Sequence, residues 1–299
     1  MIEDPQPSRF ELPMDDARLS PFGLYIAGKI TARRLVRTLW RRRPSEGPAL
    51  ARAEYCVLSQ QGEDGIIDHL LEAVGVGPGV FVEFGFGKME CNCLHLAFAR
   101  NFSGLLMDGS ARGCKYARDA YRWLGKRRIQ VVNAFVTVQS LDALIEGRGI
   151  EGEIDVLSID VDGVDYWLWE CLEVVSPRIV VVEYNASLGD ERSITVPYAA
   201  DFVRWNEHDS GLYHGASLLA LERLGERKGY RLVGCDSMGV NAFFLRKDLD
   251  APGVPTLTTK QAFYEHRSRI ERLGLTTPQQ FAQISHLPFV EIEAAQDGA

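Results

Sequence analysis

Five apolar runs in this chain end in a polar residue able to accept hydrogen bonds or protons: Glu83, Asp108, Asn133, Asp160 and Glu183. In an open α/β sheet, ligands bind beyond the carboxyl ends of the strands, so five such endings describe one crevice. The first run leads into Glu83-Phe-Gly-Phe-Gly87. Glycines there let a ligand approach the backbone, because they lack a Cβ and tolerate positive φ. The third glycine of the dinucleotide fingerprint is missing, with Glu90 in its place. That argues against a pyrophosphate resting on a helix N-terminus and toward another adenosyl ligand. Asp108, at the next run's end, suits the two hydroxyls of a ribose; the alternative is a turn opened with Gly109.

A second focus is Asp160-Val-Asp162-Gly-Val-Asp165, followed one strand later by Glu183-Tyr-Asn185. Carboxylates this close repel one another in a low-dielectric cleft unless a cation, hydrogen bonds or protonation relieves them. Asp160, Asp162, Glu183 and Asn185 together offer an oxygen shell suited to Mg²⁺ or Mn²⁺. The alternative is a metal-free site in which the same groups hold substrate hydroxyls or cap loops. A metal-free reaction at a hydroxyl needs a base, and the candidates are His214 and His208, with Asp160 a further catalytic candidate. Both histidines lie in a long irregular stretch that can cover the site, with surface or structural roles as the alternative. Tyr198 and Trp205 in that stretch suit stacking on a sugar, whereas Trp167 and Trp169 read as core.

These residues need a scaffold, and the hydropathy pattern supplies one. From residue 55 apolar strands alternate with helices, the signature of a doubly wound, mostly parallel sheet of the Rossmann-like type. Strands are expected at residues 80–84, 103–107, 129–133, 156–160 and 179–183. Helices are expected at 59–74, 91–100, 112–125, 140–147, 164–174 and 217–228. A pair of strands at 230–236 and 242–246 reads as an antiparallel hairpin closing the sheet. The chain thus divides into an N-terminal tail with a basic amphipathic helix (1–50), a catalytic domain (51–249) and a C-terminal helical extension (250–299) with a helix-like stretch at 260–273.

Composition narrows the classes further. With 299 residues, 46% hydrophobic and 25% charged, the chain can bury a large core. A net charge of −8 gives no general reason for nucleic-acid binding. Six cysteines without a Cys-x-x-Cys pair, and no signal peptide in view, read as reduced cytoplasmic thiols. No apolar run is long enough to span a membrane. The exception to the acidic balance is residues 21–43, a basic amphipathic helix with Lys29 and six arginines. It can lie peripherally on the inner face of an anionic membrane, or pack on its own chain or on a second copy in a homo-oligomer.

Taken in order, Glu83 to Gly87, Asp108, Asn133-Ala134-Phe135 and Asp160 to Asp165 resemble the S-adenosylmethionine-dependent methyltransferases. Residues 55–67 and 156–185 look most like the FkbM-type branch, which acts on sugars and secondary metabolites. The resemblance covers about residues 55–247 and implies a class I methyltransferase fold. It implies that Glu83, Gly85 and Gly87 meet the methionine part of the cofactor, Asp108 the ribose, and Asn133, Ala134 and Phe135 the adenine. Gln60, with Gln61, Glu63 and Asp64, matches the family's opening segment and is expected at the cofactor's mouth beside Asp160; a capped, charged first helical turn is the alternative. The four metal candidates are similar to the site of catechol and macrocin-type sugar O-methyltransferases, although Glu-x-Asn replaces an adjacent acidic pair. Lys88-Met-Glu90-Cys departs from the family's smaller residues.

The expected activity is therefore methyl transfer to a hydroxyl of a sugar, glycan or glycosylated metabolite. Two other classes share the fold: an NAD-dependent sugar oxidoreductase or epimerase, disfavoured by the missing glycine, and a non-catalytic scaffold in polysaccharide assembly.

Overall fold

The computed structural model describes residues 21–39, 49–87 and 90–294. Five strands run parallel: β1 (Val80–Phe84), β2 (Ser103–Asp108), β3 (Ile129–Asn133), β4 (Gly152–Ile159) and β5 (Val175–Glu183). A short β6 (Ile194–Thr195) follows, then β7 (Tyr230–Cys235), β8 (Asn241–Arg246) and a terminal β9 (Val290–Glu291). The main sheet has the order β3-β2-β1-β4-β5-β8-β7, with β8 antiparallel to both neighbours. This is the expected α/β sheet with its closing hairpin. The order reverses between β1 and β4, which places the ligand crevice beyond their carboxyl ends.

Strand alternation feeds two cores. Val82, Phe84, Leu105, Met107, Leu157, Val180 and Val182 face one side, with the helices Asp165–Cys171 and Leu218–Arg227. Phe81, Leu106, Val156, Ile179 and Val181 face the other, with Glu63–Val74, Ala111–Trp123 and Pro21–Leu39. Both faces are covered, so the parallel strands are continuously apolar rather than alternating.

The differences from expectation lie where polar side chains take over from hydropathy. β4 and β5 begin four residues early, at Gly152 and Val175. Inside that extra length the carboxylate of Asp155, fully buried, accepts from the backbone N–H groups of Gly77 and Gly79 at 2.6 Å and Val80 at 3.1 Å. It thereby fixes the loop that delivers β1. The helix expected from residue 59 starts at Glu63, because Asp64 turns back to accept from the N–H groups of Val57, Leu58 and Ser59. The C-terminal stretch is three short helices, Thr259–Ala262, Arg267–Leu273 and Thr277–Ile284, rather than one. β9 pairs with β6, so Val290 and Glu291 lie against the irregular segment that follows β5. The basic N-terminal helix is described to Leu39; residues 40–43 lie outside the described residues.

Asp155→Ala leaves three backbone donors without their acceptor, and is expected to lower unfolding free energy by about 2–4 kcal/mol, read as a fall in the urea midpoint at unchanged m.

Candidate functional site

Two cavities open side by side at the carboxyl edge of the sheet. The first, about 450 Å³, is lined by the glycine turn, by Asp108 to Ser110, by Ala134 to Val136, and by Asp160 to Asp162. The second, about 380 Å³, is lined by Glu183, Arg204, His266, Arg269 and Arg272 among others. Gln60, Asp160 and Asp162 belong to both. They mark the junction.

The glycine turn owes its shape to a backbone crossing. Gly85 has φ +73°, and a Cβ there would stand 1.5 Å from the Asp160 carbonyl oxygen. Its N–H donates to the Met107 carbonyl. The turn therefore ties together the ends of β1, β2 and β4. Gly87 closes it by donating to the Glu90 carbonyl.

Asp108 is half-buried, and burial raises its pKa. One carboxylate oxygen accepts from the Ser110 N–H at 2.6 Å; the other has no hydrogen-bond partner among the described residues. Ala134 and Phe135 line the cavity, and Phe135, a residue 54% exposed, can offer its ring to a stacking base. Asn133 does not line it. Its amide donates to the carbonyls of Asp108 and Gly109 and holds the Asp108 turn.

Glu83, expected against the cofactor, is turned elsewhere. Strand alternation sets it on the opposite face from Val82 and Phe84, where its carboxylate accepts from the N–H groups of Asn92 at 2.7 Å and Cys93 at 2.9 Å. Burial pushes its pKa up to about 7. Asp165 is likewise used on backbone, accepting from Val161 and Gly163. Glu63 accepts from the Gln61 N–H and the Asn241 amide, which leaves Gln60 as the member of that segment that reaches both cavities.

Arginine relieves part of the acid cluster. Asp162, with φ +56°, pairs with Arg204. Arg269 is 2% exposed and donates to the Asn185 side-chain oxygen and the Ser187 hydroxyl, both at 2.8 Å, and to His214 Nε2 at 3.2 Å. Burial, then repulsion from Glu183, Asp162 and Asp165, raises the Asp160 pKa well above the carboxylate range. Burial, reinforced by Asp162 and Asp165 and opposed by Arg204 and Arg269, pushes Glu183 up to about 8.

This arrangement bears on the four metal candidates. Asn185 spends its whole side chain on structure: its amide donates to the carbonyls of Leu212 and His214, and its oxygen accepts from Ser187 and Arg269. It has no ligand atom to offer. Asp162, Glu183 and His214 do place ligand atoms within 4.8 Å of one another. Arginine can only donate, however, so His214 Nε2 is the acceptor and Nδ1 carries the proton of the neutral ring. Nδ1 faces Glu183 Oε2 at 3.8 Å with no lone pair for a metal. With two guanidinium groups beside the carboxylates, these residues do not fit a divalent cation.

His214 is fully buried, and burial followed by Arg204 and Arg269 holds its pKa well below the usual histidine value. It lines neither cavity and stands behind Glu183. His208 bonds to Ser210 and lies against His286, outside both cavities. Of the three catalytic candidates only Asp160 reaches the junction. Trp205 lines neither cavity, and Tyr198 hydrogen-bonds to Val138 and Gln139. Sequence reading placed Glu183 among the metal candidates only, and it gave no role to Arg204, His266, Arg269 and Arg272, which line the second cavity with it. The last four come from the irregular stretch and the extension, where no motif marks them.

No family model and no curated protein matches the chain. Solved structures that overlap it include the O-methyltransferase from Bacillus cereus in complex with SAH, at TM-score 0.41 and 12% identity, covering 74% of this chain and 89% of that one. A methyltransferase from Geobacter sulfurreducens overlaps at TM-score 0.40 and 13% identity, over 79% and 90% of the two chains. The SAH-bound N-terminal domain of EvdMO1 does so at 0.40 and 14%, over 63% and 81%. Likenesses this distant carry no argument about activity, which rests on the site itself.

Because Asp162 is paired with Arg204 and burial favours the neutral forms of Asp160 and Glu183, millimolar MgCl₂ or EDTA is expected to leave the melting temperature unchanged. A rise of more than about 2 °C with Mg²⁺, lost in Glu183→Gln, would show a cation bound there.

Proposed function

We propose that this chain transfers a methyl group from S-adenosylmethionine to a hydroxyl of a sugar, glycan or glycosylated metabolite. The observation that carries this reading is the meeting of two cavities at Asp160, one shaped for an adenosyl ligand and the other holding a proton acceptor. The resemblance of the motif set to FkbM-type methyltransferases supports the same assignment.

In the first cavity the unpaired oxygen of Asp108 accepts from ribose hydroxyls, and Phe135 offers a face to the adenine. The Gly85 turn admits the amino-acid end of the cofactor. When bound, the cofactor supplies an electrophilic methyl on a sulfonium. Asp160 at the junction opposes that positive charge, and the charge in turn draws the Asp160 carboxyl back toward its ionised form. In the second cavity Glu183 takes the hydroxyl proton as the oxygen bonds to the methyl carbon and the carbon–sulfur bond breaks, leaving a neutral thioether. Neutral His214, held by Arg269, stands behind Glu183 with its Nδ1 3.8 Å from Oε2. Positioning and deprotonation are the main requirements of methyl transfer, and these residues meet both.

Calorimetric titration is expected to show one molecule of S-adenosylmethionine bound per chain and no binding of NAD. Asp108→Ala should weaken binding about 10- to 100-fold. Folded protein that binds NAD in place of S-adenosylmethionine would transfer the site to the oxidoreductase reading.

A base with a pKa near 8 is mostly protonated at neutral pH, so methylation of a sugar acceptor should accelerate as pH rises through about 8. Glu183→Gln should flatten that rise and lower the rate by about 10²–10⁴. An unchanged profile in the variant would remove Glu183 from the chemistry.

A further inference from the structure

The second cavity has two chemically different ends. Asp160 and Asp162, which it shares with the first cavity, mark the end that meets the cofactor. His266, Arg269 and Arg272 line the second cavity alone. All three come from the helix Arg267–Leu273 and the residue that caps it. Arg269 and Arg272 stand at positions i and i+3, so one helix face carries both guanidinium groups.

Most of the donors around this cavity are already engaged. Arg204 gives Nε to the Gly211 carbonyl at 2.6 Å and Nη1 to Asp162. Arg269 gives its two terminal nitrogens to Asn185, Ser187 and His214. Arg272 differs: its side chain lines the cavity, is open to solvent, and makes no hydrogen bond or ion pair among the described residues. His266 adds a second free donor. Its Nδ1 accepts from the Arg269 backbone N–H at 3.3 Å, so the neutral ring carries its proton on Nε2, which has no partner among the described residues. The ring is neutral because burial, then Arg269 and Arg204, push its pKa down to about 4. Crowding of like charge reaches Arg269 too. Burial lowers its pKa to about 10, with Glu183 opposing and Arg204 and Arg272 adding to the fall.

Three guanidinium groups therefore line this cavity, and among the described residues Asp162 is the lining carboxylate that forms an ion pair with one of them. A neutral ligand would leave that cationic end uncompensated, and a metal ion would add to it. A planar guanidinium beside a ring N–H suits an oxyanion, which it can bind through two parallel hydrogen bonds. We propose that the acceptor is an acid, with its reacting hydroxyl at the Asp160 end and a carboxylate or phosphate group against Arg272 and His266 Nε2. This deepens the methyl-transfer reading and rests on it. The cavity volume of about 380 Å³ lies at the small end of ligand pockets, about 300–1,000 Å³, and suits one sugar unit with its charged substituent.

The test is calorimetric titration of the full chain, with and without S-adenosylhomocysteine, using glucuronate, glucose 6-phosphate and methyl glucoside as probes. At least one acid is expected to bind 10-fold or more tightly than the neutral glucoside, and the stronger of the two tells carboxylate from phosphate. Arg272→Gln should weaken that acid about 10- to 100-fold, the loss of a charged hydrogen-bond donor. Its melting temperature and affinity for S-adenosylmethionine should stay unchanged, since the side chain is exposed and unbonded. Three results would overturn the proposal: neither acid binding, the glucoside binding as tightly as both acids, or the variant binding the acids like the wild type. A variant that loses S-adenosylmethionine instead would assign Arg272 to the cofactor, with the same consequence. The two readings fail separately. Protein that binds S-adenosylmethionine but neither acid keeps methyl transfer and loses the acidic acceptor, whereas Arg272-dependent binding of an acid without S-adenosylmethionine keeps the anion site and removes methyl transfer.

Discussion

The carboxyl edge of this sheet gathers more buried negative charge than a low-dielectric region can hold unaided, and Arg269 is central to its relief. Its guanidinium, nearly inaccessible to solvent, joins the Asn185 side chain, Ser187 and His214 in one network directly behind Glu183. An unpaired charge so placed would be strongly unfavourable, and each member would be costly to remove alone. The network explains why the C-terminal helix Arg267–Leu273 is seated where it is. It also explains why β5 ends in a turn whose Asn185 is wholly committed to structure. Arg204 serves Asp162 in the same way from the irregular segment. Two parts of the chain without recognisable motifs thus complete the electrostatics of the motif-bearing part.

A second constraint is the contact between Gly85 and the Asp160 carbonyl. No side chain fits there, so the turn after β1 and the end of β4 are locked together. Because Asp160 lies at the junction of the two cavities, that backbone contact also sets the distance between them. Around it, buried carboxylates serve as clamps on backbone N–H groups: Asp64 on residues 57–59, Glu83 on residues 92–93, Asp155 on residues 77–80 and Asp165 on residues 161–163. Such carboxylates rigidify the loops that line a site without entering it.

Those clamps show the limit of reading acids from their position. Glu83 and Glu183 both close an apolar run, yet one binds backbone and the other lines a cavity. The period of two was the available signal for Glu83, since it alternates with Val82 and Phe84 and so faces the helix Leu94–Ala99. Asp165 was legible as a residue of a helix's first turn. His214 carried no such signal: whether a histidine is a base or a support depends on what bonds its other nitrogen, and that partner, Arg269, is 55 residues away.

The sequence by itself determined the α/β class, the seven strands of the main sheet, the glycine turn and the strand-end positions of Asp108 and Asp160. Local rules suffice for these, because continuous apolar runs, turn residues and spacing act over a few neighbours. Only the tertiary structure decided which carboxylates face a cavity, that Arg204 and Arg269 stand beside them, and that the helix Arg267–Leu273 helps build the second cavity. Desolvation and charge pairing depend on what surrounds a group in space, and here the decisive neighbours come from distant parts of the chain.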